Sequence, residues 1–115
     1  MEEQKTLTED QLSKMVVDLG VARKEKLNES WLGMFGSWVK WILRGMFGGP
    51  VPDVKISGTK SEVESFMNVL AKEKDYMRLA QDHGLSDART YKNKFKLEKA
   101  ANTFFRKTGI KWPFK

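Results

Sequence analysis

The sequence predicts a mainly α fold: one small helical domain with about four helices and at most one short β-strand pair. Three observations carry this. Four stretches repeat apolar residues at helical spacing, each near a capping signal. Extended alternation is confined to residues 54–57 and 110–112. The 115 residues leave room for one modest core. Two regions are expected: an N-terminal helical region over residues 1–50 with a strongly apolar second helix, and a basic C-terminal helical lobe over residues 51–115.

The first helix is expected to start at Thr8, with Gln11 as capping-box partner and Leu7 stapled onto Leu12. Leu12, Met15, Val16 and Leu19 then recur at helical spacing, with Ala22 continuing the stripe. Gly20 predicts a kink or an early stop there. Residues 23–26 form a solvated charge cluster, and Asn28, Glu29 and Ser30 can cap a second helix.

That second helix, over residues 31–47, is the unusual feature. Only Gly33, Ser37, Lys40 and Arg44 make a polar stripe, and three of the four tryptophans lie here. Gly48, Gly49, Pro50 and Pro52 end it. Its apolar surface has three readings: the centre of the domain's own core, a face for other protein subunits, or a bilayer interface. The interface readings assign Trp31, Leu32, Phe35, Trp38, Val39, Ile42, Leu43 and Phe47 to the contact. The helix is short for a membrane span and is interrupted by two cations.

Val54 to Ser57 alternates with period two and reads as a strand, which residues 110–112 can pair with. Thr59 and Glu62 form a capping box for a third helix whose apolar face is Val63, Phe66, Met67, Leu70, Met77 and Ala80. Gly84 is expected as its left-handed end. Ser86 and Asp87 open a capped turn into the last helix, whose apolar side is Phe95, Leu97, Ala101, Phe104 and Phe105. Gly109 then gives a Schellman-type stop with Ile110 folded back on Phe105. The aromatic tail around Trp112 is expected to dock. Val63, Phe66, Met67, Leu70, Leu97, Ala101, Phe104 and Phe105 are the expected core of this half.

The net charge of +6 is unevenly spread. Residues 85–115 carry nine bases against Asp87 and Glu98, so the basicity belongs to the C-terminal segment. Lys92, Lys96 and Lys99 share one helix face beside Tyr91 and Phe95, and Arg106 and Lys107 extend the basic patch. Such a face either contacts phosphates and stacks on unpaired bases, or is a solvated surface whose aromatics turn inward.

Catalytic chemistry finds little support. With no cysteine and one histidine, thiolate and multi-histidine metal sites are excluded. His83 falls at a helix end, where it satisfies terminal carbonyls. Glu62, Glu64, Glu73 and Asp75 read as helix-surface acids paired with Lys60, Lys72 and Lys74. The glycines of residues 45–49 follow a helix and lack the Lys-Ser/Thr of a P-loop. The expectation is therefore no enzyme activity, no cofactor and no metal. The acidic, polar N-terminus is unlike a signal peptide, so the chain is expected to be retained inside a cell.

Two stretches share a familiar order: Leu27-Asn28-Glu29-Ser30-Trp31-Leu32-Gly33-Met34-Phe35 through Met46-Phe47-Gly48-Gly49, and Phe104-Phe105-Arg106-Lys107-Thr108-Gly109-Ile110-Lys111-Trp112-Pro113-Phe114-Lys115. Ile56-Ser57-Gly58-Thr59 and Gly84-Leu85-Ser86-Asp87-Ala88-Arg89-Thr90-Tyr91 lie between them. This arrangement resembles small virion-associated proteins of tailed bacteriophages. The resemblance implies a structural or accessory virion component, internal and ejected with the genome or placed at the portal and tail. It implies location in the virion, and in the host cytoplasm during assembly. The expected partners are other copies of the chain and larger virion proteins, with DNA and a membrane interface as further candidates. The alternative functions are a nucleic-acid-binding accessory protein and a membrane-active protein used in genome delivery or lysis.

Overall fold

Burial alternates with period two where the described chain begins. Val17 and Leu19 are fully buried and Val21 nearly so, while Val16 is exposed. In the computed structural model, which describes residues 16–49 and 54–114, this segment opens as strand β1 (Val16–Asp18). Helix α1 (Glu29–Met46), strand β2 (Lys55–Ser57), helix α2 (Lys60–His83) and helix α3 (Ala88–Thr108) follow. The fold is thus mainly helical, as expected, with three helices among the described residues rather than about four. The expected first helix is corrected over Val16 to Ala22. Its cap at Thr8 and Gln11, its staple at Leu7, and Leu12 and Met15 lie outside the described residues.

The strand pairing is also corrected. β2 pairs with β1 in parallel, with Val16 opposite Lys55, Val17 opposite Ile56 and Asp18 opposite Ser57. It does not pair with residues 110–112, which form no strand. Parallel neighbours cannot be joined by a tight hairpin, so the chain must cross over, and α1 is that crossover. The Leu19 N–H extends the ladder by donating to the Ser57 carbonyl at 2.7 Å. The chain then turns at once: the Gly20 N–H donates to Asp18 Oδ1 at 2.9 Å. That bond, with Lys24 beside it, holds the Asp18 carboxyl below its ordinary pKa.

Each helix starts where a side chain takes up its free N–H groups. Asn28 Oδ1 accepts from the Trp31 N–H at 2.8 Å. Thr59 and Glu62 form the full reciprocal capping box, and Glu62 Oε1 also pairs with Arg23 at 3.3 Å. Asp87 Oδ1 accepts from the Arg89 N–H at 2.9 Å. Helix α2 ends at Gly84, whose φ of 86° suits glycine, but its ψ of 161° is extended rather than helical. Helix α3 ends at Gly109, which is left-handed as expected. A side chain at Gly109 would also crowd the Ala22 Cβ, 3.1 Å from where its own Cβ would lie. The turn after β1 therefore packs directly on the end of α3.

Residues 84–87 connect α2 to α3, and Lys107 near the end of α3 donates to Ser61 at the start of α2. The two helices therefore form an antiparallel hairpin. The crossover unit rests on it through one aromatic cluster. The Phe35 ring of α1 lies 5.9 Å from Phe66 of α2 and stacks on Phe104 of α3 at 6.1 Å. Trp112 closes the cluster, standing edge-on to Phe104 at 5.8 Å and to Phe35 at 6.3 Å. The expected docking of the tail is thus observed. Regions 1–50 and 51–115 contribute to one shared core, so the boundary between them separates no independent cores.

Of the expected C-terminal core, Phe66, Leu70, Leu97 and Phe104 are buried, and Val63 and Ala101 are partly so. Met67 and Phe105 are corrections, being 50% and 44% exposed. Met77 is also exposed, although Ile110 is fully buried behind the Gly109 stop. Val69 and Ala100, outside the expected set, are buried.

Because Phe35 touches both helices of the hairpin and the tail, Phe35→Ala is expected to cost about 3–5 kcal/mol. Urea unfolding followed by tryptophan fluorescence measures it. A loss under 1 kcal/mol contradicts the shared core.

Candidate nucleic-acid interface

The core determines which way α3 faces. Thr90, Leu97, Ala100, Phe104 and Thr108 are buried on one side, all within a narrow sector of the helix. At about 100° per residue, the opposite side carries Tyr91, Lys92, Phe95, Lys99 and Arg106, with Lys96 and Lys107 along one flank. All five residues of the expected basic patch, Lys92, Lys96, Lys99, Arg106 and Lys107, are exposed. From Lys92 to Arg106 the patch runs about 21 Å along the axis.

The aromatics beside it do not turn inward. Tyr91 is 59% exposed and Phe95 61% exposed. Their rings meet edge to face, 5.4 Å apart at 86°. Phe95 therefore leaves the apolar side to which the sequence pattern assigned it. The signal was present: from Phe95 to Leu97 a helix turns about 200°, so both cannot face one core.

Charge on this helix is almost all of one sign. Residues 88–108 carry seven bases and a single acid, Glu98. The other nearby carboxylate is already engaged. Arg89 donates from Nε and Nη2 to Asp87 at 3.0 and 3.1 Å, which lowers the Asp87 pKa to about 2. Lys107 spends one donor on Ser61, and Arg106 donates to Thr103 Oγ1 at 3.2 Å. Lys92, Lys96 and Lys99 make no ion pair among the described residues.

Helix α1 is placed differently from its expected contact role. Phe35 and Val39 are fully inaccessible, and Trp38 and Leu43 nearly so, because all four fill the chain's own core. Their assignment to an interface is corrected. Trp31 and Ile42 are partly buried, and Leu32 and Phe47 stay exposed. Ile42 borders an apolar groove of about 270 Å³ against β2 and α2. Phe47 borders another of about 350 Å³ that includes Phe114 and Met77. The polar stripe of Gly33, Ser37, Lys40 and Arg44 faces outward as the spacing requires. No described helix is long and apolar enough to cross a membrane.

Two acids read as surface residues are in fact buried. Glu62 is 4% exposed and Glu73 5%. Both continue the three-and-four spacing of Phe66, Val69 and Leu70, so they fall in phase with the core face. Glu73 Oε1 accepts from the Trp112 indole N–H at 2.8 Å. Burial raises the Glu73 pKa above its ordinary value, and the indole bond opposes this only in part. His83 is the exposed last residue of α2. Among the described residues no three acids or histidines converge as a metal site would need.

The Glu73 shift fixes the sign of a pH effect. A carboxyl whose folded pKa is raised stabilises the fold below its unfolded pKa, and that contribution is lost as pH rises through the folded value. Glutamine stays neutral and keeps an acceptor for Trp112. Glu73→Gln should therefore melt higher than the native chain at pH 7, with the difference closing below pH 4.5, the ordinary glutamate value. Thermal melts across that range check it, and a lower melting point at pH 7 contradicts it.

No protein-family model, no curated protein and no solved structure matches this chain.

Proposed function

We propose that this chain is a non-enzymatic accessory protein of a tailed-phage particle that docks on nucleic acid through the outward face of α3. The observation that carries the docking is the coincidence of Lys92, Lys99 and Arg106 with two exposed aromatic rings on one side of one helix, with Lys96 along its flank. Lysines are depleted from protein interfaces, whereas rows of cations are the common footprint of phosphate binding. The placement in a virion is supported by the order of motifs across residues 27–49 and 104–115.

A second reading, assembly with other copies or with a larger virion protein through α1, keeps one specific support. Leu32, Met34 and Phe47 are 37%, 44% and 41% exposed. Leu32→Asp with Phe47→Asp should then lower the sedimentation coefficient at micromolar concentration without unfolding the chain. A native chain that already sediments as a monomer removes this reading.

For the nucleic-acid reading, duplex DNA affinity should fall steeply with salt, because each neutralised phosphate releases counterions. Replacing Lys92, Lys96 and Lys99 by glutamine should flatten the log–log salt slope by about 2.7, at about 0.9 per phosphate contact. Anisotropy titrations between 50 and 200 mM salt, concentrations of roughly the range over which such slopes are read, measure it. An unchanged slope in the triple variant contradicts the reading.

A further inference from the structure

Resting on the α3 reading above, we infer that this face selects single-stranded nucleic acid over duplex, with Tyr91 and Phe95 as a platform on which unpaired bases stack. Cations alone do not distinguish the two forms, since both present phosphates. The aromatic pair does. Bases in a duplex turn their faces to one another, while an unpaired base offers its face to any ring that is exposed beside the backbone.

Neither ring is explained by folding. Phe95 and Tyr91 are 61% and 59% exposed on the side of α3 opposite Leu97 and Phe104. Leaving a phenylalanine in water forgoes more burial than an edge-to-face ring pair returns. Both rings are surrounded by cations. Lys92 and Lys99 share the stripe, and Lys94 lies beside the rings in the shallow hollow that Tyr91, Phe95 and Glu98 complete. At about 80 Å³ that hollow is too small to enclose a base, so the contact it allows is stacking across the rings rather than insertion.

A protein partner fits the same face less well. An aromatic pair suits an interface centre, but the lysines that ring it would have to be stripped of water against apolar surface. A strand of nucleic acid meets both requirements at once, with phosphates along Lys92, Lys96 and Lys99 and bases over the rings. Glu98 is the one group that works against a phosphate there, so the strand is placed with its backbone on the Lys92–Lys96–Lys99 side.

The test uses the full chain and three labelled probes, dT20, rU20 and a 20-base-pair duplex, in anisotropy titrations at one salt concentration. One of the two single strands should bind at least tenfold more tightly than the duplex, and the stronger of them identifies the sugar. Tyr91→Ala with Phe95→Ala should weaken that strand by at least fivefold, while duplex affinity and its salt slope stay unchanged. Alanine is a stronger helix former than either aromatic and both sites are exposed, so the helix is retained; circular dichroism verifies this. Tyr91→Phe should bind as the native chain does, because stacking needs the ring and not the hydroxyl. Equal binding of all three probes, or a double variant that binds the strand normally, overturns the inference. If duplex binding keeps its lysine-dependent salt slope in either case, docking through α3 stands and only strand selectivity is lost. Absence of binding to every probe overturns both.

Discussion

Phe35 is the side chain on which the rest of the structure depends. It projects from the helix that must cross between two parallel strands, and it contacts both helices of the hairpin and the tail. A two-stranded parallel sheet of three residues per strand has little stability of its own, so the crossover unit is held by this contact rather than by the ladder. Trp31 stacks on Phe35 at 5.2 Å from the outer side, and Trp112 reaches the same cluster from the tail. The apolar excess of α1 is therefore largely consumed within the chain. What the tryptophan-rich helix does first is to join the two halves of one domain.

Local signals were legible in the sequence and non-local ones were not. Asn28, the Thr59–Glu62 box, Asp87 and Gly109 were readable because a cap depends on neighbours within four residues. Strand β1 was not readable. Val17, Leu19 and Val21 alternate, yet Met15, Val16, Leu19 and Ala22 fit helical spacing equally well. The choice is made by pairing with Lys55, Ile56 and Ser57, some forty positions away along the chain. Residues 110–112 alternate in the same way and form no strand, because Trp112 gains more from the aromatic cluster and from the Glu73 carboxylate.

The candidate site was legible in its charges and hidden in its rings. Lys92, Lys96 and Lys99 follow from spacing alone, since four and three residues return to one side of a helix. Whether Tyr91 and Phe95 face outward depends on which residues the hairpin buries, and that choice was masked by an apolar residue at nearly every turn. Burial of Leu97, Ala100 and Phe104 decides it, turning Tyr91 and Phe95 into solvent. The core and the site are thus linked: the packing that fixes α3 against α2 also sets cations and aromatics side by side on its far face. Four of the eight residues expected at an α1 interface were misplaced for the opposite reason. A helix that is apolar almost all round gives no sign of which side its own chain will cover.

The most direct measurement is a nuclear magnetic resonance titration of the isotopically labelled chain with a short unlabelled single strand, reading each backbone amide separately. Shifts and broadening should gather along α3, strongest around Tyr91, Lys92, Phe95, Lys96 and Lys99. Amides of the buried cluster at Phe35, Phe66 and Val39 should stay in place. Perturbations centred on Leu32, Met34 and Phe47 of α1, or none localised to α3, would contradict docking through α3.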